Sequence, residues 1–275
     1  MTIELKFWKQ ILHLFTPPVC ILLFERLKRI QFSNSSKVHG YEDEILVSHV
    51  VDRTKEFASD VCDSATPSSL LIGVSLLPLM RSDSLRVLDF GGASGAHFFQ
   101  LKQIASRAHF DWRIVETKRM CNLAFEAFGS SDSGLRFFES IDEASEDYSL
   151  DFDLVIAGSS LGYTSDPDGT LKQLLGLEPE VLFINRQVLT EGKTISMTQK
   201  SDLRANGPRT KERVEHSHRK VEVQYKLTVP NRTNFESLIV SSGYQFLVRS
   251  RDQVGVMRSG ADLFDSWCYL ATRRL

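Results

Sequence analysis

Short apolar runs and segments with helical spacing alternate through the middle of the chain. The first run is centred on Val87 and Leu88, and a glycine-rich turn and a helix-like segment follow it. Further strand-like runs occur at 112–115, 135–138, 151–158 and 181–185, with helical segments at 96–107, at 118–128 and from 141 onward. Strands that alternate with helices form parallel sheets covered by helices on both faces. The pattern therefore predicts a doubly wound α/β domain.

The end of the chain departs from this alternation. A helical segment at 234–242 stops at Gly243, and two strand-like runs follow at 244–250 and 267–272, separated by a polar connection. Since no helix lies between these two runs, we expect them to pair antiparallel. The predicted fold is a mostly parallel, Rossmann-like sheet of seven strands with an antiparallel terminal strand.

The first 41 residues are predicted to form a helical extension that ends in a polar loop at 31–41. Residues 42–275 are predicted to form the main domain, which opens with a helix at 42–61. Within the extension, the second helix has apolar side chains on one face and the cations Arg26, Lys28 and Arg29 on the other. An amphipathic helix of this kind can pack on a domain or lie on an anionic membrane surface. Packing is the favoured interpretation, and weak peripheral membrane contact through residues 19–30 is the alternative.

Residues 187–230 interrupt the regular pattern, since they are polar and show little periodicity before 221. We interpret them as an insertion near the carboxyl edge of the sheet, able to act as a lid over a substrate pocket. The insertion contains His216 and His218. Because no third ligand lies nearby in sequence, a solvated loop is favoured over a metal site, and no metal is predicted.

Composition adds few constraints. Hydrophobic residues make up 42% of the chain, charged residues 25%, and the formal net charge is -2. These values are typical of a globular protein and give no electrostatic reason to expect nucleic acid as a partner. The four cysteines, at positions 20, 62, 121 and 268, are far apart. This spacing favours a reducing, cytoplasmic location, and a peripheral location at the inner membrane is the alternative if the second helix contacts lipid.

The turn after the first strand carries the clearest chemical signal. It reads D-F-G-G-A-S-G, with Asp89 followed by Gly91, Gly92 and Gly95. A dinucleotide-binding turn requires the spacing G-x-G-x-x-G, and that spacing is absent in either register. Glycines at such a turn let the backbone bend sharply and let a ligand approach closely.

A second carboxylate lies where the next strand ends. Glu116 follows Gly95 by 21 residues, a separation that fits one helix and one strand. In doubly wound sheets, an acid at this position can accept the ribose hydroxyls of an adenosine cofactor. The alternative is a surface glutamate at a strand end.

The glycine turn resembles motif I of class I S-adenosylmethionine-dependent methyltransferases, with Ala93 in place of the middle glycine. Residues 42–273 resemble a family of bacterial putative methyltransferases associated with surface-polysaccharide biosynthesis. The resemblance rests on L-R-V-L-D-F-G-G-A-S-G at 85–95, W-R-I-V-E at 112–116, R-F-F-E-S at 136–140, S-S-L-G-Y at 159–163 and I-N-R at 184–186. Asn185 departs from it, because an acid is expected there.

The resemblance implies S-adenosylmethionine as cofactor and a small-molecule or glycan-precursor acceptor. It assigns Asp89 to the methionine amine, Glu116 to the ribose, Ser140 to the adenine and Ser159 to the floor beneath the methionine moiety. The three glycines, 91, 92 and 95, would line the approach of the cofactor.

The general base is the least determined part of the prediction. The weak catalytic candidates are Tyr163 beyond the fourth strand and His97 at the start of the first helix after the turn. The alternative for both side chains is that they only pack in the fold. Arg186, the third weak candidate, would bind an anionic acceptor, and a structural salt bridge is the equally favoured alternative. Two other classes of protein stay open: an inactive methyltransferase-like binding or scaffold subunit, and a nicotinamide-dependent oxidoreductase, which the glycine spacing disfavours.

Overall fold

The computed structural model describes residues 37–59, 84–105, 108–129, 134–146, 152–208, 221–259 and 262–274. The two N-terminal helices predicted before residue 31 and the pair His216 and His218 lie outside these ranges. In chain order the strands are β1 Lys37–His39, β2 Ser84–Phe90, β3 His109–Val115, β4 Leu135–Phe138, β5 Leu154–Gly158, β6 Val181–Leu189, β7 Ile195–Asp202, β8 Glu222–Val229, β9 Tyr244–Ser259 and β10 Asp262–Arg273. The helices are α1 Glu44–Ser59, α2 Ala96–Ile104, α3 Lys118–Phe128, α4 Ile141–Ser145, α5 Pro167–Gly176 and α6 Arg232–Ser241.

Seven strands form the main sheet in the order β4-β3-β2-β5-β6-β10-β9. The pairs from β4 to β6 are parallel, and β10 is antiparallel to both of its neighbours. The predicted fold class is therefore confirmed. The reversal of strand order between β2 and β5 creates a crevice at the carboxyl ends of the strands, which is where ligands bind in open α/β sheets.

The core lies on both faces of this sheet, as a doubly wound fold requires. Leu88 packs with residues of α4, α5 and α6 on one face. The preceding residue, Val87, packs with Phe98 of α2 and Trp112 of β3 on the other face. Because successive side chains of a strand point to opposite faces, one apolar run supplies both halves of the core.

Local sequence signals set several helix ends. The side chain of Asp166 accepts the backbone N–H of Gly169 at 2.9 Å and caps α5, whose first residue is Pro167. Asn231 caps α6 in the same manner, accepting the N–H of Asn234 at 2.9 Å. Such caps pair backbone donors that a helix leaves unsatisfied.

A second, three-stranded sheet has the order β1-β8-β7. The sequence analysis predicted a polar loop at 31–41 and an irregular insertion before 221, and both predictions were wrong for the residues in β1 and β7. In β7, partly buried and exposed side chains alternate. Its inward positions include Gln199, so the strand lacks the apolar alternation that predicts strands from sequence.

The terminal strand pair is also longer than predicted. The predicted polar connection is part of β9 and β10, which pair from Tyr244 with Arg273 to Ser259 with Asp262. The far part of this hairpin extends beyond the sheet core and packs on the second sheet, where buried Phe264 contacts the cluster containing Leu227 and Val229.

Candidate functional site

The glycine turn is held against the carboxyl end of β2 by close packing. A Cβ on Gly92 would lie 2.5 Å from Cγ of Asp89, and one on Gly91 would collide with Cβ of Ser160. The hydroxyl of Ser160 donates to the carbonyl of Phe90 at 2.7 Å. These two glycines are required because a side chain at either position has no room.

Asp89 is a fully buried carboxylate at the centre of this turn. Its Oδ2 lies 3.0 Å from Nδ1 of His97. Within the described part of the chain, Oδ1 is buried without a hydrogen-bond partner. A buried carboxylate oxygen in that state is costly unless a ligand supplies a donor. Asp89 therefore has an unused acceptor position at the predicted methionine site.

Ala93 occupies the position where the motif normally has glycine, and its backbone is left-handed, with φ of 51°. A residue with a Cβ pays about 1–2 kcal/mol for this conformation. The backbone N–H of Ala93 donates to Oε1 of Glu116 at 3.2 Å. The substitution thus keeps the shape of the turn, at the cost of strain.

Glu116 links the end of β3 to the glycine turn. Besides the bond from Ala93, its Oε2 accepts the N–H of Thr117 at 2.9 Å. Burial raises the pKa of Glu116 to about 7, against the lowering effect of these two backbone donors. An acid that is half protonated near neutral pH inside a ligand crevice is typical of a functional site.

A buried hydroxyl pair connects the turn to α1, a contact that the sequence analysis did not predict. The hydroxyl of Ser94 donates to Oγ1 of Thr54 at 2.7 Å, and Thr54 donates to the carbonyl of Val50 at 2.9 Å. Both side chains are fully buried. No periodic pattern identifies such a contact, because its two residues lie far apart in the chain.

Ser140 and Ser159 lie at the carboxyl ends of β4 and β5, as predicted. Ser140 caps α4 by accepting the N–H of Glu143 at 3.1 Å. Ser159 has a left-handed backbone, with φ of 59°, and its N–H donates to the carbonyl of Asn185 at 2.7 Å. The assignments of these serines to adenine and methionine stay predictions.

A cavity of about 480 Å³ opens between the ends of β5 and β6, strand β7 and the β9–β10 hairpin. The predicted residues Ser159, Tyr163 and Arg186 line it. Its other lining residues, which the sequence analysis did not select, are Val188, Met197, Thr198, Gln199, Lys200, Asp252, Met257 and Ser266. The volume falls in the range of small-molecule sites.

Tyr163 lies at the boundary between this cavity and an aromatic cluster. Its ring packs edge-on to Tyr41 and Tyr225, whose rings stack on each other at 4.4 Å. Its hydroxyl donates to Oε1 of Gln199 at 2.6 Å. Burial raises the pKa of Tyr163, which disfavours the phenol as a base and suits it to donating a hydrogen bond.

Arg186 protrudes into the cavity from an irregularity in β6. Its backbone is left-handed, with φ of 53°, and its side chain is exposed. Within the described residues its guanidinium forms no ion pair or hydrogen bond. His97, the other weak catalytic candidate, lies with its ring against Gly158 and is bonded to Asp89, outside the cavity lining.

Among the described residues, no three His, Cys, Asp or Glu side chains are grouped closely enough to hold a metal ion. The helices in those same ranges are all too short or too polar to cross a bilayer.

The strand order, the antiparallel β10 and the glycine turn after β2 give this chain the fold of class I methyltransferases. Solved structures with a similar arrangement include the glycopeptide N-methyltransferase MtfA, at 10% identity over 90% of this chain and 97% of that chain, with a TM-score of 0.44. An amino pentose methyltransferase from Micromonospora echinaspora involved in calicheamicin biosynthesis aligns at 15% identity over 75% of this chain and 90% of its own, with a TM-score of 0.45. An S-adenosylmethionine-dependent methyltransferase from Clostridium acetobutylicum aligns at 11% identity over 79% and 96% of the two chains, with a TM-score of 0.44. No protein-family model and no curated protein sequence matches the chain.

Proposed function

We propose that this protein transfers a methyl group from S-adenosylmethionine to a small, polar, glycan-related acceptor. The observation that carries the proposal is the pair of carboxylates, Asp89 and Glu116, at the ends of the adjacent strands β2 and β3. Both lie against the glycine turn, and Asp89 has a buried oxygen without a partner in the described residues.

The residues fit this cofactor. Asp89 would accept from the methionine amine through Oδ1, and Glu116 would accept the ribose hydroxyls when ionised. Gly91 and Gly92 let the turn pack closely against Ser160 and Asp89. When bound, S-adenosylmethionine supplies an electrophilic methyl group on a sulfonium. The protein contributes mainly alignment of the acceptor and exclusion of water.

The acceptor would occupy the cavity. Hydroxyl, amide and charged groups line it together with Tyr163, Met197 and Met257. Such a mixture suits a polar molecule with an apolar face. Asp252 is the one carboxylate among the described residues that line this cavity, so we assign it the removal of a proton from an acceptor hydroxyl. A role in surface-polysaccharide biosynthesis fits this acceptor class and is part of the proposal.

The competing function is a methyltransferase-like subunit that binds or scaffolds without catalysis. The substitution at Ala93 is the observation in its favour. However, Ala93 keeps a left-handed backbone and donates to Glu116, so the turn keeps its shape despite the substitution.

Calorimetric titration with S-adenosylmethionine, S-adenosylhomocysteine and NAD tests the proposal. We expect binding of the first two and none of NAD. Methyl transfer from labelled S-adenosylmethionine to a pool of sugar nucleotides and sugar phosphates then separates an enzyme from a scaffold. Binding of NAD alone, or of no cofactor, would reject the proposed function.

A further inference from the structure

Two neighbouring strands of the main sheet carry left-handed residues at or near the cavity, one directly after β5 and one within β6. Ser159, after β5, has φ of 59°, and Arg186, in β6, has φ of 53°. The N–H of Ser159 donates to the carbonyl of Asn185 at 2.7 Å, so the two positions are adjacent. Non-glycine residues persist in this conformation where the surrounding structure enforces it, and such positions cluster at ligand sites.

The conformation of Arg186 belongs to a β-bulge. In the pairing of β6 with β10, Ile184 is opposite Tyr269 and Gln187 is opposite Trp267. Two residues of β6, Asn185 and Arg186, therefore oppose one residue of β10. Bulges redirect side chains next to active sites. Here the bulge leaves Asn185 buried and presents Arg186 to the cavity.

Among the described residues that line the cavity, Arg186 is the cation that forms no ion pair. Lys200 also lines the cavity, but its Nζ lies 3.0 Å from a carboxylate oxygen of buried Glu222. Asp252 is the opposing charge in the lining, and within the described residues it forms no ion pair with Arg186. Arginine presents a planar set of donors that matches the two oxygens of a carboxylate or phosphate.

We infer that the acceptor carries an oxyanion, a phosphate ester or a carboxylate, which Arg186 binds. This inference rests on the proposed function, because it assumes that the cavity holds the acceptor. The left-handed backbone of Arg186 in the bulge then has a functional role, because it directs the guanidinium into the cavity.

Four variants test the inference. Arg186→Ala removes the guanidinium and keeps a Cβ in the left-handed conformation, whereas Arg186→Gly removes both. Arg186→Lys retains a charge without the planar donors. Lys226→Gln, at an exposed residue of β8 that lies outside the cavity lining, is the control for loss of a surface cation.

The readout is the melting temperature of the full-length protein in inorganic phosphate or in sodium acetate, at ionic strength held constant with chloride. A bound anion raises the melting temperature. We expect a rise with at least one anion for the wild type and Lys226→Gln, a smaller rise for Arg186→Lys and none for Arg186→Ala or Arg186→Gly. The anion that gives the larger rise distinguishes phosphate from carboxylate.

We also expect Arg186→Gly to melt about 2–4 °C above Arg186→Ala, because glycine adopts the left-handed backbone without strain. Equal anion responses in the wild type and Arg186→Ala would overturn the inference, and so would a wild type that responds to neither anion. Affinity for S-adenosylhomocysteine, measured separately, should be the same in all variants. If the wild type does not bind S-adenosylhomocysteine, the proposed function is rejected. The anion response would still show whether Arg186 binds an oxyanion.

Discussion

Replacing Glu116 with glutamine should stabilise the protein increasingly, relative to the wild type, as the pH rises, and should weaken its cofactor affinity at neutral pH. Burial raises the pKa of Glu116 from its ordinary value of 4.5 to about 7. As the pH rises between these values, the unfolded chain loses a proton that the folded protein still holds. The free energy of unfolding of the wild type therefore falls as the pH rises. Glu116→Gln lacks this group and does not show the fall.

The pKa difference sets the magnitude. Each tenfold change in proton affinity corresponds to about 1.4 kcal/mol, so the full penalty above pH 7 is about 3 kcal/mol. Glutamine also weakens the bonds from Ala93 and Thr117, because it offers one acceptor oxygen in place of two. That cost is independent of pH. The change with pH in the stability difference between the two proteins is therefore the quantity to measure.

The assay is urea unfolding of wild type and Glu116→Gln between pH 4.5 and 8. Relative to the wild type, the variant should gain about 3 kcal/mol across this interval. Glu139→Gln, at an exposed acid directly after β4, is the matched control and should show no such gain. A stability difference that stays constant with pH would refute the assignment of a raised pKa to Glu116.

Cofactor affinity should follow the ionised carboxylate. Because ionised Glu116 accepts hydroxyl donors and its protonated form accepts them less well, wild-type affinity for S-adenosylhomocysteine should fall as the pH drops below about 7. Above pH 7, Glu116→Gln should bind S-adenosylhomocysteine more weakly than the wild type does. Its affinity should change little with pH. Calorimetric titrations at pH 6 and pH 8 measure both effects.

Three further predictions concern the glycine turn. Asp89→Ala and Glu116→Ala should each weaken cofactor binding at least tenfold in calorimetry, since a lost bond to a charged acceptor costs about 1.5–3 kcal/mol; circular dichroism must first show that each variant is folded. Ala93→Gly should stabilise the protein by about 1 kcal/mol, because glycine adopts the left-handed backbone without strain. Cofactor affinity should be unchanged, and a loss of stability would show that Ala93 is not strained. Thr54→Val should destabilise by about 1–3 kcal/mol in urea because it leaves the buried Ser94 hydroxyl without its acceptor, whereas Thr54→Ser should retain most of the stability.

The sequence by itself determined the framework of the predicted cofactor site. The run at Val87 and Leu88, the glycine turn and the helix after it are local features, and the chain order of strands and helices set the fold class. The bounds predicted for α3, residues 118–128, match the structure. The position of Glu116 directly after β3 was predicted for the same reason, because its distance along the chain from the turn fixes its place at the end of the next strand.

Only the tertiary structure decided what surrounds that site. Strand β7 lacks a sequence signal, because Met197 and Gln199 face inward between polar neighbours, and its pairing with β8 defines it as a strand. The cavity lining combines residues from Ser159 to Ser266, which adjacency in sequence cannot reveal. The bulge that presents Arg186 depends on its register with β10. Strand pairing and cavity walls are long-range contacts, so the local hydrophobic pattern could predict the strands that carry the cofactor site but not the pocket beside them.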